Sequence, residues 1–210
     1  MTYIYLHGFA SSPASGKARF FERKFAEAGV GLLVPALDGG DFEHLTITRQ
    51  LEVIRRVAGS GPATMIGSSM GGYLAALYAS RNAEVEKVVL MAPAFAFARR
   101  WRNILGQEQM ERWRETGSRI FYHYGYGGER NLFYTLIEDG LQYEDFPAIE
   151  QPALVLHGTR DDVVPVEASM QFVQNEPKRR LVLLDSGHEL ADVTDRLWAE
   201  SAAFLEIENV

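Results

Sequence analysis

The pentapeptide Gly67-Ser68-Ser69-Met70-Gly71 constrains the fold of this chain more than any other feature. An apolar run at residues 63–66 precedes it, and a helix-forming run at residues 73–79 follows it. Between a strand and a helix, G-x-S-x-G places a serine on a sharp, strained turn that exposes its hydroxyl at the edge of a sheet. Side chains at either glycine would collide with the adjoining strand or helix. The pattern therefore predicts Ser69 as a nucleophile, provided that a base, an acid and an oxyanion hole accompany it.

Composition excludes several classes of protein. A chain of 210 residues, 47% of them hydrophobic, is large enough for one domain with a substantial core. Its formal charge of -7 disfavours nucleic acid or an anionic membrane surface as the main partner. The absence of cysteine excludes disulfides, a thiol nucleophile and a cysteine-ligated metal. Because the first seven residues have no basic region and lead directly to Gly8, we expect no signal peptide and no membrane span, and a cytoplasmic protein.

Short apolar runs alternate with helical stretches, which is typical of a parallel sheet. The predicted strands are Tyr3–Leu6, Gly31–Val34, Ala63–Ile66, Lys87–Met91, Ala153–Leu156 and Arg180–Leu184. The predicted helices are Gly16–Ala28, Thr46–Ala58, Gly72–Ser80, Val166–Gln174 and Val193–Glu206. We therefore predict a single α/β domain over residues 1–210, with a mostly parallel sheet of about six strands flanked by helices.

The segment 94–147 interrupts this alternation, because it contains no convincing strand. It is rich in aromatic residues, namely Trp101, Trp113, Phe121, Tyr122, Tyr124, Tyr126, Phe133 and Tyr134. This content favours an ordered, helical subdomain over a disordered connection. We predict a helical lid inserted over the carboxyl edge of the sheet, with Trp101 and Tyr124 as substrate-binding residues. The alternative is that these aromatic side chains only form the core of the lid.

His188 is the candidate base for Ser69. In an open α/β sheet, functional groups collect at the carboxyl ends of the strands, and His188 directly follows the last predicted strand. His7 and His157 each precede a glycine at a strand end, where the ring usually packs or bonds to backbone. The remaining two histidines lie in loop or lid segments.

The acid that orients this base should follow the preceding strand, in the chain order serine, acid, histidine. The loop 157–165 supplies two candidates, Asp161 and Asp162. A carboxylate that accepts the Nδ1–H of the base fixes its tautomer and stabilises the imidazolium formed during attack. Asp162 could instead cap the next helix. Asp185 is close to His188 in sequence, so we expect it to be a loop or capping residue.

The oxyanion hole requires two backbone N–H groups directed at the developing negative charge. We expect one from Met70, the residue after the nucleophile. The second should come from the loop after the first strand, where Gly8 permits close approach and Phe9 N–H is the natural donor. The Phe9 ring could alternatively line the acyl pocket.

On these residues the chain resembles serine esterases of the α/β-hydrolase fold, in particular the small bacterial esterases of the YqiA type. The shared motifs are the segment His7–Pro13, the segment Asp41–Thr46 and the loop His157–Pro165. In the family the acid is the fifth residue of that last motif, which implies that Asp161 is the acid. The latter half is also similar to mitochondrial acyl-protein thioesterases. Unlike the full family pattern, this chain has no room for two strands before the His-Gly turn, so we expect an all-parallel sheet.

The predicted function is hydrolysis of a carboxylic ester or thioester by the triad Ser69, Asp161 and His188, with Phe9 and Met70 as the oxyanion hole. The expected partner is a small molecule with an apolar acyl or aryl part, and no metal or organic cofactor is implied. Two alternatives remain open. One is an aminopeptidase-like or C–C bond hydrolase, which would use the same triad. The other is a non-catalytic binding protein, which would usually lack one of these groups.

Overall fold

Six parallel strands form the central sheet in the computed structural model, which describes residues 1–207. The described chain contains eight strands: β1 (Thr2–Leu6), β2 (Leu32–Leu33), β3 (Ala63–Ser68), β4 (Val85–Met91), β5 (Ser118–His123), β6 (Gly128–Phe133), β7 (Ala153–Gly158) and β8 (Arg179–Leu184). The central sheet has the order β2-β1-β3-β4-β7-β8, and every neighbouring pair is parallel. The prediction of six parallel strands is confirmed, with β1 one position from the edge.

Eight α-helices are present in the same part of the chain. They are α1 (Gly16–Glu27), α2 (Ile47–Ala58), α3 (Met70–Ala79), α4 (Phe97–Leu105), α5 (Gln107–Thr116), α6 (Thr135–Gly140), α7 (Val166–Val173) and α8 (Thr194–Leu205). All five predicted helices occur, with ends that coincide with the prediction or differ from it by at most two residues. In residues 1–207, none of the helices has both the length and the apolar character needed to cross a membrane.

The two faces of the sheet are covered by different helices, because successive side chains of a strand point to opposite faces. Tyr5 packs in the core with Phe21 and Phe25 of α1 and with Trp198 of α8. On the other face, Ile4 and its equivalents in the neighbouring strands pack against α2, α3 and α7. Both faces are buried, which explains why these strands are near-continuous apolar runs.

Two strands extend beyond their predicted carboxyl ends. β3 continues to Ser68 and β7 continues to Gly158, whereas the edge strand β2 shortens to Leu32–Leu33. Because all six strands are parallel, their carboxyl ends lie along one edge of the sheet. The segments that follow β1, β3, β7 and β8 therefore meet there, and these are the segments that hold the predicted site residues.

The insertion after β4 is not wholly helical, so the expectation of a segment without strands was wrong. Helices α4 and α5 are followed by an antiparallel hairpin of β5 and β6, and then by α6. Residues Ile120, Phe121 and Tyr122 belong to the β-branched and aromatic types that strands favour. Their burial alternates, with Phe121 turned towards the core and its two neighbours exposed. That period of two was the available signal in the sequence.

Candidate active site

Ser69 lies on the turn between β3 and α3 with a backbone conformation that L-amino acids rarely adopt, φ 54° and ψ -117°. The surrounding backbone holds it there. Its N–H donates to Met91 O of the neighbouring strand at 2.9 Å, and its carbonyl oxygen accepts from Gly72 N and Ala94 N at 3.0 Å each. Such strain persists only where the surrounding structure enforces it, and it is concentrated at functional sites.

The two glycines of the pentapeptide are required by backbone approach. A Cβ atom on Gly67 would lie 2.2 Å from Gly71 O, and one on Gly71 would lie 2.1 Å from Leu6 O. Both distances are far shorter than a van der Waals contact, so no larger residue fits without moving β1 or α3. The helix consequently begins directly beneath the serine, at Met70.

A continuous hydrogen-bonded chain connects Ser69, His188 and Asp161 across three loops. Ser69 Oγ lies 3.0 Å from His188 Nε2, and His188 Nδ1 lies 2.8 Å from Asp161 Oδ2. The His188 side chain is 12% exposed and the Asp161 side chain is fully enclosed. With Nδ1–H donating to the carboxylate, Nε2 accepts from the serine hydroxyl, which is the arrangement of a general base next to a nucleophile.

The structure places Asp161, and not Asp162, beside the histidine. The second oxygen of Asp161, Oδ1, accepts hydrogen bonds from Val163 N at 2.9 Å and Val164 N at 2.7 Å. Burial alone would raise the pKa of this carboxyl, but hydrogen bonds from His157, His188 and the Val164 amide outweigh it and hold the pKa well below its usual range. Asp162 is exposed.

His157 also contacts Asp161, although its position before a glycine at a strand end predicts only packing or a bond to backbone. Its Nε2 lies 3.1 Å from Asp161 Oδ2 and 3.0 Å from Val164 O, so the expected bond to backbone exists but is not the whole of its role. Its Nδ1 lies 2.7 Å from Ser169 Oγ on α7. The four-residue spacing between His157 and Asp161 was the only sequence signal, and it does not by itself indicate a contact in a loop.

The predicted oxyanion donors both lie next to the serine. A Cβ atom on Gly8 would be 3.5 Å from Ser69 Cβ, which brings the loop after β1 directly over the nucleophile. Within residues 1–207, neither Phe9 N nor Met70 N has a hydrogen-bond acceptor. Two unpaired amides flanking a serine, one of them at a helix N-terminus, are suited to stabilising negative charge.

The two predicted substrate-binding residues occupy different environments. Trp101 of α4 is 8% exposed, and its ring centroid lies 5.4 Å from that of Phe9 and 5.4 Å from that of Phe121. Tyr124 is 77% exposed, and its ring contacts that of Tyr122 on the surface of the hairpin. The backbone N–H of Tyr124 nevertheless donates to Ala10 O in the loop after β1. Trp101 therefore adjoins the loop after β1 through its ring, and Tyr124 adjoins it only through its backbone.

Cationic side chains approach Asp161 from two other elements. Arg100 of α4 donates a hydrogen bond to Val163 O, and burial lowers its pKa while Asp161 opposes that effect. Burial likewise lowers the pKa of Lys17 at the start of α1, opposed by Glu189 and Asp161. Within residues 1–207, no three His, Asp or Glu side chains are grouped to hold a metal ion.

A cavity of about 410 Å³ lies elsewhere, among α4, α5 and α6. Its walls include Ala98, Met110 and Ile137, with Arg102 and Arg114 also lining it. None of the predicted catalytic or oxyanion-hole residues borders it, so this cavity is separate from the site around Ser69.

Comparison with solved structures identifies several similar folds. Alpha/beta hydrolase domain-containing protein 10 from mouse is 19% identical, with 99% of this chain and 90% of that chain covered and a TM-score of 0.80. A putative hydrolase from Agrobacterium vitis S4 is 25% identical, covering 99% and 88% of the two chains with a TM-score of 0.82. Est1E from Butyrivibrio proteoclasticus, solved with ferulic acid bound, is 21% identical, covering 98% and 88% with a TM-score of 0.75.

The comparison with curated proteins returns no match. The model of the uncharacterised protein family UPF0227 matches residues 2–205, nearly the whole chain. This match, together with the structural neighbours, confirms the resemblance to YqiA-type proteins. The chain has the α/β-hydrolase fold and belongs to the family UPF0227.

Proposed function

We propose that this protein is a serine hydrolase that cleaves carboxylic ester or thioester bonds through an acyl-enzyme intermediate. The observation that carries the proposal is the hydrogen-bonded chain from Ser69 Oγ to His188 and Asp161, set on a strained turn beside two unpaired amides. Each group that acyl transfer requires is present at the same edge of the sheet. The related folds named as hydrolases and esterases support the same chemistry.

The reaction follows from the positions of these groups. Ser69 Oγ attacks the carbonyl carbon as His188 Nε2 takes its proton, and the oxygen of the tetrahedral intermediate is held by the N–H groups of Met70 and Phe9. His188 then gives that proton to the departing alcohol or thiol, which leaves the acyl group on Ser69. Water attacks the acyl-enzyme with His188 again as base, and the carboxylic acid is released. Asp161 keeps His188 in the productive tautomer throughout.

We further propose that the insertion, residues 94–147, acts as a cap over the site around Ser69. It contacts the loop after β1, which holds Phe9 and is called the oxyanion loop below. The Phe9 ring centroid lies 5.4 Å from that of Trp101 and 5.5 Å from that of Phe121. It contacts the loop 157–165, which holds Asp161 and is called the acid loop below, through the hydrogen bond from Arg100 to Val163 O. The cap is thus attached on both sides of Ser69.

The aromatic side chains where this cap meets the oxyanion loop favour a substrate with an apolar acyl or aryl part. Est1E has been solved with ferulic acid, an aryl carboxylic acid, bound to it, which is consistent with an aryl group in this fold. The rings of Phe9 and Trp101 are the first candidates for contact with that part of the substrate.

Reaction with a fluorophosphonate probe tests the proposal directly, because the probe phosphonylates only an activated serine. We expect the wild-type protein to be labelled and Ser69→Ala to be unlabelled. Ser68→Ala is the matched control, since it removes the neighbouring hydroxyl while leaving the turn intact, and we expect it to be labelled. A wild-type protein that is folded but unreactive would refute the enzyme assignment.

The bond cleaved is identified by a substrate panel. We expect turnover of p-nitrophenyl esters or acyl thioesters, with kcat/KM rising from acetyl to longer or aromatic acyl groups. Equal or greater turnover of aminoacyl amides would assign the protein to the peptidase class instead.

A further inference from the structure

A buried hydrogen-bond chain continues behind the triad acid. From Asp161 it passes to His157 at the end of β7 and on to Ser169 on α7. Both His157 and Ser169 are completely enclosed by protein. A buried polar group is costly unless it is hydrogen-bonded, and here both ring nitrogens of His157 have partners. The chemistry described above uses neither residue.

The partners of His157 fix which nitrogen carries the proton. Nε2 is directed at two groups that can only accept, the Val164 carbonyl oxygen at 3.0 Å and the ionised Asp161 Oδ2 at 3.1 Å. It must therefore be an N–H donor, shared between these two acceptors. In the neutral ring Nδ1 is then the acceptor, and Ser169 Oγ–H donates to it at 2.7 Å.

Asp161 Oδ2 consequently receives two imidazole N–H groups, one from His157 and one from His188. We propose that His157 is a positioning residue for the triad. It holds Asp161 Oδ2 in line with His188, and its N–H offsets part of the negative charge that the carboxylate presents to His188. The inference rests on the proposed function for its catalytic meaning. It assigns to His157 a role in setting the basicity of His188, beyond filling space beneath the acid loop.

Electrostatics predicts how the loss of the His157 N–H would affect His188. The N–H of His157 places a positive dipole end against Asp161, which stabilises the carboxylate and weakens its hold on the His188 imidazolium. Without that dipole, the full carboxylate charge acts on His188, so the imidazolium form should be held more strongly. The acid limb of the rate profile, which reports protonation of the base, should then move to higher pH.

Other charged groups surround Asp161 and His188, and they have to remain unchanged in the test. Lys17 from α1 and Arg100 from α4 act on Asp161, and Glu189 lies next to His188 in the chain and acts on Lys17. Each is separate from His157, so a variant at position 157 leaves them in place. The change in the His188 titration therefore isolates the contribution of His157.

The experiment compares three variants by the pH dependence of kcat/KM and by NMR titration of His188. His157→Leu removes the donor, and we expect the acid limb and the NMR titration curve to move up together by about one pH unit. His157→Gln retains an amide N–H at the end of a side chain of similar reach, and we expect its acid limb and its His188 titration to stay close to those of the wild-type protein. Ser169→Ala is the matched control, because it removes the partner of Nδ1 while the Nε2–H stays in place. It should lower stability without moving the acid limb.

An acid limb and a His188 titration unchanged in both His157 variants, with activity falling only as stability falls, would show that His157 merely packs and would overturn the inference. If His157→Leu does not fold, His157→Met replaces it, because methionine also lacks the N–H donor. A His188 titration in His157→Met that stays at the wild-type position refutes the assigned role, and an upward displacement that is absent in His157→Gln and in Ser169→Ala supports it. The NMR titration does not depend on turnover. A protein without hydrolase activity would therefore refute the proposed function while leaving this inference open to test.

Discussion

Replacing Asp161 by asparagine reverses the hydrogen bond with His188 and also places an N–H donor against the N–H of His157. Oδ1 accepts from Val163 N at 2.9 Å and Val164 N at 2.7 Å, so the asparagine must place its oxygen there to keep both amides satisfied. Its NH₂ group then occupies the place of Oδ2, 2.8 Å from His188 Nδ1. A donor at that position forces His188 to carry its own proton on Nε2, facing Ser69. The base can no longer accept the serine proton.

The expected loss of kcat in Asp161→Asn follows from this change of the His188 tautomer. A triad whose histidine is held in the wrong tautomer loses a factor of about 10⁴ in kcat, which corresponds to about 5 kcal/mol of transition-state stabilisation. Binding and the oxyanion hole are unaffected, so KM should change little. The adjacent Asp162 is exposed and has no contact with His188, so Asp162→Asn should alter kcat by no more than about a factor of two.

Hydrolysis of a p-nitrophenyl ester at pH 7 measures both variants, with circular dichroism as a check that each is folded. Labelling by the fluorophosphonate probe should slow in parallel with kcat in Asp161→Asn. Comparable losses in the two variants, or a loss below tenfold in Asp161→Asn, would refute the orientation argued here for the acid loop.

Two further predictions concern stability, measured as the free energy of unfolding in urea. Because Ser69 has φ 54°, Ser69→Gly should be more stable than Ser69→Ala by about 1 kcal/mol, although both lack activity; equal stabilities would show that the turn carries no strain. Trp101→Ala should cost about 3–5 kcal/mol because the ring is buried among other aromatic rings, whereas Tyr124→Ala should cost less than about 0.5 kcal/mol. A cost at Tyr124 equal to that at Trp101 would contradict the packing of the hairpin.

Much of the fold is predictable from the sequence because the pattern is strong and local. The buried strands are short apolar runs bounded by turn residues, and parallel strands covered on both faces require such runs. The insertion was less predictable. Its hairpin presents alternating exposed and buried residues over only one short strand, and nearby aromatic residues such as Trp113 lie on a helix, so the period of two was hard to separate from helical burial.

The functional site likewise combines features that the sequence predicts with features that it does not. Gly67 and Gly71 predict the turn because no larger residue fits at either position. All the residues that specify the turn lie within one pentapeptide. The order of serine, acid and histidine could also be read from strand ends. The choice between Asp161 and Asp162 could not be derived from spacing alone, since both follow the same strand, and it depended on family resemblance. In the folded protein Asp161 contacts His188 because Val163 N and Val164 N orient its carboxylate towards the histidine.

By itself, then, the sequence determined the central sheet, the strained turn at Ser69 and the candidate groups for acyl transfer, since each depends on neighbouring residues in the chain. Only the tertiary structure decided how these groups meet. His157 looked like a packing residue, yet the approach of β7 to α7 places it between Ser169 and Asp161. The ring of Phe9 contacts Trp101, more than ninety positions away. Contacts of this range follow from the packing of whole elements, which no local pattern of residues specifies.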